Sequence, residues 1–175
     1  MSASPYEIDI QLQLAGEEIP AARLSDAIEW VLRDHEVAPG AGVSVVVMDD
    51  GMVQAFNRQY RDVDRPTDVL SFPAEDDPDL DEEGVYLGDL ILALPYIRRQ
   101  AASEQHDPDD ELVLAVVHGT LHLLGYDHDS PENQAAMWTV QSRALQALSV
   151  EIEVPLFEFD DDDEPDDPVE SGDQS

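Results

Sequence analysis

The chain has 175 residues, 42% of them hydrophobic and 6% aromatic, enough for one domain with a real core and hardly for two. Cysteine is absent, which rules out disulfides and thiolate metal sites, and no apolar run approaches the roughly 18 residues of a membrane-spanning helix. The 41 acidic residues against 8 basic ones, all arginine, give a net charge of −33; such a surface ordinarily repels nucleic acid and suits a salty interior, so a salt-accumulating host is expected.

Tyr6 to Leu14 alternates apolar and polar residues, as a half-buried strand does. Leu24, Ile28, Val31 and Leu32 recur at helical spacing, predicting a helix over 21–36 that Pro39-Gly40 ends. Val43 to Met48 reads as a β-branched strand closed by an Asp49-Asp50-Gly51 turn. A short helix with Val53, Phe56 and Tyr60 inward follows. Val69 to Phe72 is a further strand, 74–84 an acidic loop, Leu87 to Leu92 a strand, and Pro95 to Gln105 a helix. Asp107-Pro108, followed by three acidic residues, is a strong helix start, and Gly125 ends that helix. Ser130-Pro131 opens a last helix, with Met137, Trp138, Gln141, Leu145 and Leu148 on one stripe. The order predicts an α+β single domain: a small mixed four-stranded sheet packed with about five helices, over residues 1–154. Residues 155–175 read as an acidic disordered tail. The tail from Glu158 onward holds ten of the acidic residues, so the body is acidic as well. Met1 to Ile10, carrying Glu7 and Asp9, does not read as a secretory signal, and a cytoplasmic protein is expected.

Three of the five histidines fall between 118 and 128. His118 and His122, four residues apart on one helix, project from the same face and suit two ligands of one ion. The turn after Gly125 can return His128 to the same point. Three imidazoles and an open fourth position describe a catalytic zinc site, whereas structural sites are closed by four protein ligands. The helix is too apolar to welcome unpaired imidazoles, each costing about 1–3 kcal/mol when buried without a partner. His35 and His106, beside helix ends, read as ordinary surface residues. The spacing matches the zinc-protease pattern at each histidine and at its glycine, giving a zincin-like metal helix. The general-base glutamate of that pattern is Gly119 here. Glycine moves no proton, so peptide hydrolysis by that route is not expected.

H-G-T-L-H-L-L-G-Y-D-H at 118–128, P-T-D-V-L-S-F-P at 66–73 and L-G-D-L at 87–90 together resemble the YbeY family of bacterial endoribonucleases, also called rRNA maturation factors. The likeness runs from about Ile8 to Leu148. It implies a zinc-dependent endoribonuclease specific for single strands, acting in maturation of the 3′ end of small-subunit rRNA and in ribosome quality control. It also implies the small ribosomal subunit as partner, with no membrane and no DNA. Carried over residue by residue, His118, His122 and His128 are the ligands of one Zn²⁺ ion, other divalent transition metals being possible. Arg61 falls on the arginine of the family's Tyr-Arg motif and is the candidate catalytic residue. The family often has lysine two positions on, where this chain has Val63.

An arginine at 61 can hold a phosphate by a two-pronged contact and offset charge in the transition state. Arg58, Arg61 and Arg65 bring three of the eight positive charges together. Zinc can supply hydroxide, or polarise a phosphoryl oxygen while the 2′-OH attacks, and the residues do not choose between these. Asp68 and Asp89 are candidates for orienting a ligand imidazole or are turn and strand-end carboxylates, Asp89 more readily the latter. Tyr126 and Asp127 sit in the metal turn and can fix its shape. Two other readings stay open: a ribosome-assembly factor with a structural metal, and a general zinc hydrolase, which Gly119 weakens.

Overall fold

The computed structural model describes residues 4–61, 69–74, 85–127 and 130–152, the side chains of Tyr60 and Arg61 excepted. Its elements are β1 (Glu7–Leu12), α1 (Ala21–Asp34), β2 (Gly42–Met48), α2 (Asp50–Arg61), β3 (Val69–Pro73), β4 (Tyr86–Ala93), α3 (Leu94–Glu104), α4 (Pro108–Leu123) and α5 (Pro131–Ala147). The four strands form one mixed sheet in the order β1-β2-β4-β3. β1 and β4 both run parallel to the central β2, and β3 returns antiparallel on β4. This is the α+β arrangement expected from the element order.

The period-2 alternation of the strands divides the core. Val43, Val45, Val47, Leu90 and Leu92 point to one face, where they bury Leu24, Ile28, Val31 and Leu32 of α1 and Leu112, Val116, Val117 and Leu121 of α4. The other face packs Met48, Leu70, Ile91 and Ala93 against Val53, with Phe56, Phe72 and Tyr96 at its margin. α5 lies outside α4 and closes the first layer through Met137, Trp138, Ala144 and Leu145.

Most boundaries follow local chemistry. At the start of α4 the Asp107 side chain accepts from the Asp109 N–H, with Pro108 in the first helical position. Ser130 caps α5 in the same way through the Asn133 N–H. One expectation differs. Asp49-Asp50-Gly51, read as a turn closing β2, begins α2: Asp49 Oδ1 accepts from the Met52 N–H at 2.9 Å and its carbonyl from the Val53 N–H. An aspartate that can cap a helix carries the same residue signal as one that makes a turn. The acidic loop lies almost wholly, and the acidic tail entirely, outside the described residues.

β4 and β3 come unusually close at Gly88. Its φ is +149°, and a Cβ there would sit 2.4 Å from the Phe72 carbonyl oxygen and 2.8 Å from Leu123 Cδ2. This glycine lets the edge of the sheet meet the last turn of α4, which is where the histidines are.

Candidate metal centre

Residues four apart on a helix lie one above the other. On α4 this places His118 Nε2 3.1 Å from His122 Nε2, the two rings meeting nearly edge to face. Each ring is held by its other nitrogen. His122 Nδ1 lies 2.9 Å from the main-chain carbonyl of Tyr126. A carbonyl only accepts, so His122 carries its proton on Nδ1 and, when neutral, presents a lone pair at Nε2. His118 Nδ1 lies 2.8 Å from Gln141 Oε1, which assigns it the same tautomer. Trp138 of α5 packs edge-on against the His118 ring at 5.9 Å.

The two Nε2 atoms, 3.1 Å apart, have the separation that two ligands of one small ion take. For zinc–nitrogen distances near 2.0–2.1 Å, a tetrahedral edge is about 3.3 Å. The outer hydrogen bonds on Nδ1 are those that orient and enrich a ligating imidazole. His118 and His122 therefore could hold a metal as they stand. His128, the third expected ligand, lies outside the described residues.

The Tyr126 carbonyl reaches His122 because of how α4 ends. The Gly125 N–H bonds to the His122 carbonyl and the Tyr126 N–H to the Leu121 carbonyl, with Gly125 at φ +104°. That is a Schellman turn, and glycine takes the left-handed position without strain. The reversal folds Tyr126 back over the final turn of its own helix.

Gln141 was legible only as one residue of the α5 core stripe. It is 1% exposed, and its partner lies 23 residues away. A polar residue on an otherwise apolar stripe was the available signal. Asp89, the weaker candidate for an orienting carboxylate, lies on the sheet face away from α4 and accepts from the Tyr86 hydroxyl instead. Burial, then that bond, raises the Tyr86 phenol above the usual tyrosine range. Asp68 lies outside the described residues.

Both histidines expected at the surface are engaged. His35 is in contact with Tyr126, and His106 pairs at 2.5 Å with Glu111, itself 5% exposed. Glu104, His106 and Glu111 thus bring three ligand-type atoms within 4.8 Å of one another. The imidazole–carboxylate bond accounts for that group.

Arg61 closes α2 by its backbone; its side chain and the whole of Arg65 fall outside the described residues. Of the six other arginines, Arg58 has a partner within the fold and five are in ion pairs: Arg23 with Asp110, Arg33 with Glu29, Arg98 with Glu17, Arg99 with Asp50 and Arg143 with Asp34. Among the described residues, no helix is long and apolar enough to cross a membrane.

A family model described as endoribonuclease YbeY matches residues 9–149. The chain is similar to the protein of that name from Shouchella clausii, 37% identical over 82% of this chain and 96% of the relative. It is likewise similar to those from Roseiflexus, at 38% over 86% and 98%, and Halorhodospira halophila, at 39% over 82% and 94%. A structural-genomics target from Thermotoga maritima, solved in solution, superposes with a TM-score of 0.56 at 27% identity, covering 81% of this chain and 88% of that one. With that identity sustained over nearly the whole length of the relatives, the chain belongs to the YbeY family of endoribonucleases.

Proposed function

We propose that this protein is a zinc-dependent endoribonuclease that cuts single-stranded RNA, with His118, His122 and His128 holding one ion. The observation that carries the reading is the pair of facing Nε2 atoms, each ring fixed through Nδ1 by Gln141 or by the Tyr126 carbonyl. When bound, the ion supplies Lewis acidity at the phosphodiester and acidifies water, so no glutamate base at position 119 is needed. Gln141 and Tyr126 keep the two imidazoles in the ligating tautomer throughout. Arg61 contacts the scissile phosphate and offsets the charge that develops on it. Supporting this, the five arginines outside positions 58–65 are committed to carboxylates, and Arg61 stands in the sequence between Arg58 and Arg65.

The proposed substrate is the 3′ end of small-subunit rRNA on a cytoplasmic ribosomal precursor, with ribosome quality control as the wider role. Residues 1–154 are the endoribonuclease domain and 155–175 an acidic extension. The test is cleavage of a single-stranded RNA by purified protein, with and without chelator, beside His118→Ala. Cleavage lost in both, with circular dichroism unchanged, is the expected result. Full activity in His118→Ala points to a contaminating nuclease and ends this reading.

A further inference from the structure

We propose that His35, at the end of α1, is a positioning residue for the metal centre, acting through Tyr126 on His122. The proposal rests on the reading of His122 as a ligand. His35 is the C-cap of α1, and its Nδ1 lies 2.8 Å from the Val31 carbonyl one turn back. That carbonyl can only accept, so the ring proton is on Nδ1 and Nε2 of the neutral ring is an acceptor. The Tyr126 hydroxyl, 2.9 Å away, donates to it. The rings also meet edge to face, with centroids 5.5 Å apart.

A directed chain of hydrogen bonds results, its polarity set at both ends by main-chain carbonyls. His35 is keyed by Val31, Tyr126 is held by His35, and the carbonyl of Tyr126 fixes the His122 tautomer. Tyr126 follows Gly125, a left-handed pivot that would by itself let the turn swing. Holding the phenol at its far end restrains the carbonyl at its near end, and the same stretch leads directly to His128. α1 is in turn fastened to α5 beside the site, since Arg143 pairs with Asp34 and lies over the Trp30 ring at 5.9 Å. The end of α1 thus braces the turn from outside the ligand set.

The test uses the full chain and the variants His35→Ala, His35→Gln and Tyr126→Phe, with folding checked by circular dichroism. Nitrogen-15 NMR of the imidazoles in metal-free protein reports the His122 tautomer, and competition with a chelator reports Zn²⁺ affinity. Wild type shows a single Nδ1–H form at His122. His35→Ala and Tyr126→Phe show mixed tautomers and about tenfold weaker zinc binding, the low end for an outer partner of a ligand. His35→Gln, which keeps an acceptor for the phenol, restores most of both. The double variant His35→Ala/Tyr126→Phe is no worse than either single one, since both break the same chain.

An unmoved His122 tautomer in Tyr126→Phe overturns the proposal. So does a loss of affinity that glutamine at 35 fails to recover, because that loss is structural. If His35→Ala does not fold, Tyr126→Phe decides alone, as it deletes only a hydroxyl. Failure of the wild type to bind Zn²⁺ sinks the proposed function instead, while the tautomer measurement still judges the positioning role.

Discussion

Replacing Gln141 by leucine isolates what the outer hydrogen bond contributes to the centre. Leucine is of similar volume and apolar, and the site is 1% exposed, so the fold is retained and no water takes the place of Oε1. His118 then loses the acceptor now 2.8 Å from Nδ1. A buried N–H left unpaired costs about 1–3 kcal/mol. The metal-free ring has an escape, however. It can move its proton to Nε2 and donate to His122 Nε2, 3.1 Å away. That bond limits the loss of stability, and it occupies the two lone pairs an ion requires. Gln141→Leu is therefore expected to lower the melting temperature in excess chelator by only a few degrees, about 1 kcal/mol for a chain of this size. Zinc affinity is expected to fall about 10–100-fold, or ~1.4–2.7 kcal/mol. Gln141→Glu should behave oppositely: its carboxylate remains a good acceptor and sustains affinity, while a charge buried beside a neutral ring destabilises the metal-free protein. Both variants are read by competition with a chromophoric chelator and by thermal melts with and without zinc. If Gln141→Leu binds zinc within twofold of wild type, Gln141 does not set the His118 tautomer, and only His122 is held for an ion by its outer hydrogen bond.

Gly88→Ala must push β3 from β4, since its Cβ meets backbone at 2.4 Å and φ is +149°. A loss of about 3 kcal/mol or more in chemical denaturation is expected, and a change below about 1 kcal/mol contradicts the packing described. Arg61→Lys keeps the charge but not the planar fork; kcat should fall on the order of 100-fold with zinc affinity unchanged, and a parallel fall in zinc affinity would place Arg61 at the metal instead of the phosphate. With a net charge of −33, thermal stability should rise between 0.1 M and 1 M salt, as the screening length shortens from about 10 Å to about 3 Å. RNA cleavage should hold or improve over that range, and a steep monotonic decline of the kind set by counterion release would refute local control of binding.

The fold was legible where periodicity and end signals agreed. β1 shows its alternation directly, and α4 announces its start with Asp107-Pro108 and its end with Gly125. Where one residue type serves two structures the reading failed, as at Asp49, whose carboxylate caps α2. The site was legible in part for a related reason. Spacing along one helix is a local property, so His118 and His122 could be paired from the chain alone. Their supports are not local. Gln141 lies 23 residues from His118, and the partner of His35 lies 91 residues away. Nothing in the neighbourhood of His35 distinguishes it from a solvated histidine at a helix end. His106 was missed through the identity of its partner: Glu111 reads as one more carboxylate in an acidic first turn, yet it is almost wholly buried.

Gly119 shows how a single departure from a pattern acquires a physical cause. In the sequence it is the missing base of a zinc protease. In the fold it is the point where α4 rests on the sheet. A Cβ there would lie 2.8 Å from Leu90 Cδ2 and 3.3 Å from Ser71 Oγ, and that hydroxyl bonds to the Gly119 carbonyl. Position 119 is about 100° around the helix from 118, so its side-chain direction runs into β3 and β4 while the imidazoles turn toward Gln141 and Tyr126. A glutamate would have to displace Leu90, which is fully buried, and bring an unpaired carboxylate into the core. The absence of a glutamate at position 119 is thus tied to the close seating of α4 on its sheet. On the proposed reading a bound ion would acidify water without a base at position 119, and Gln141 and Tyr126, which hold the tautomers of His118 and His122, would keep the site competent for that ion.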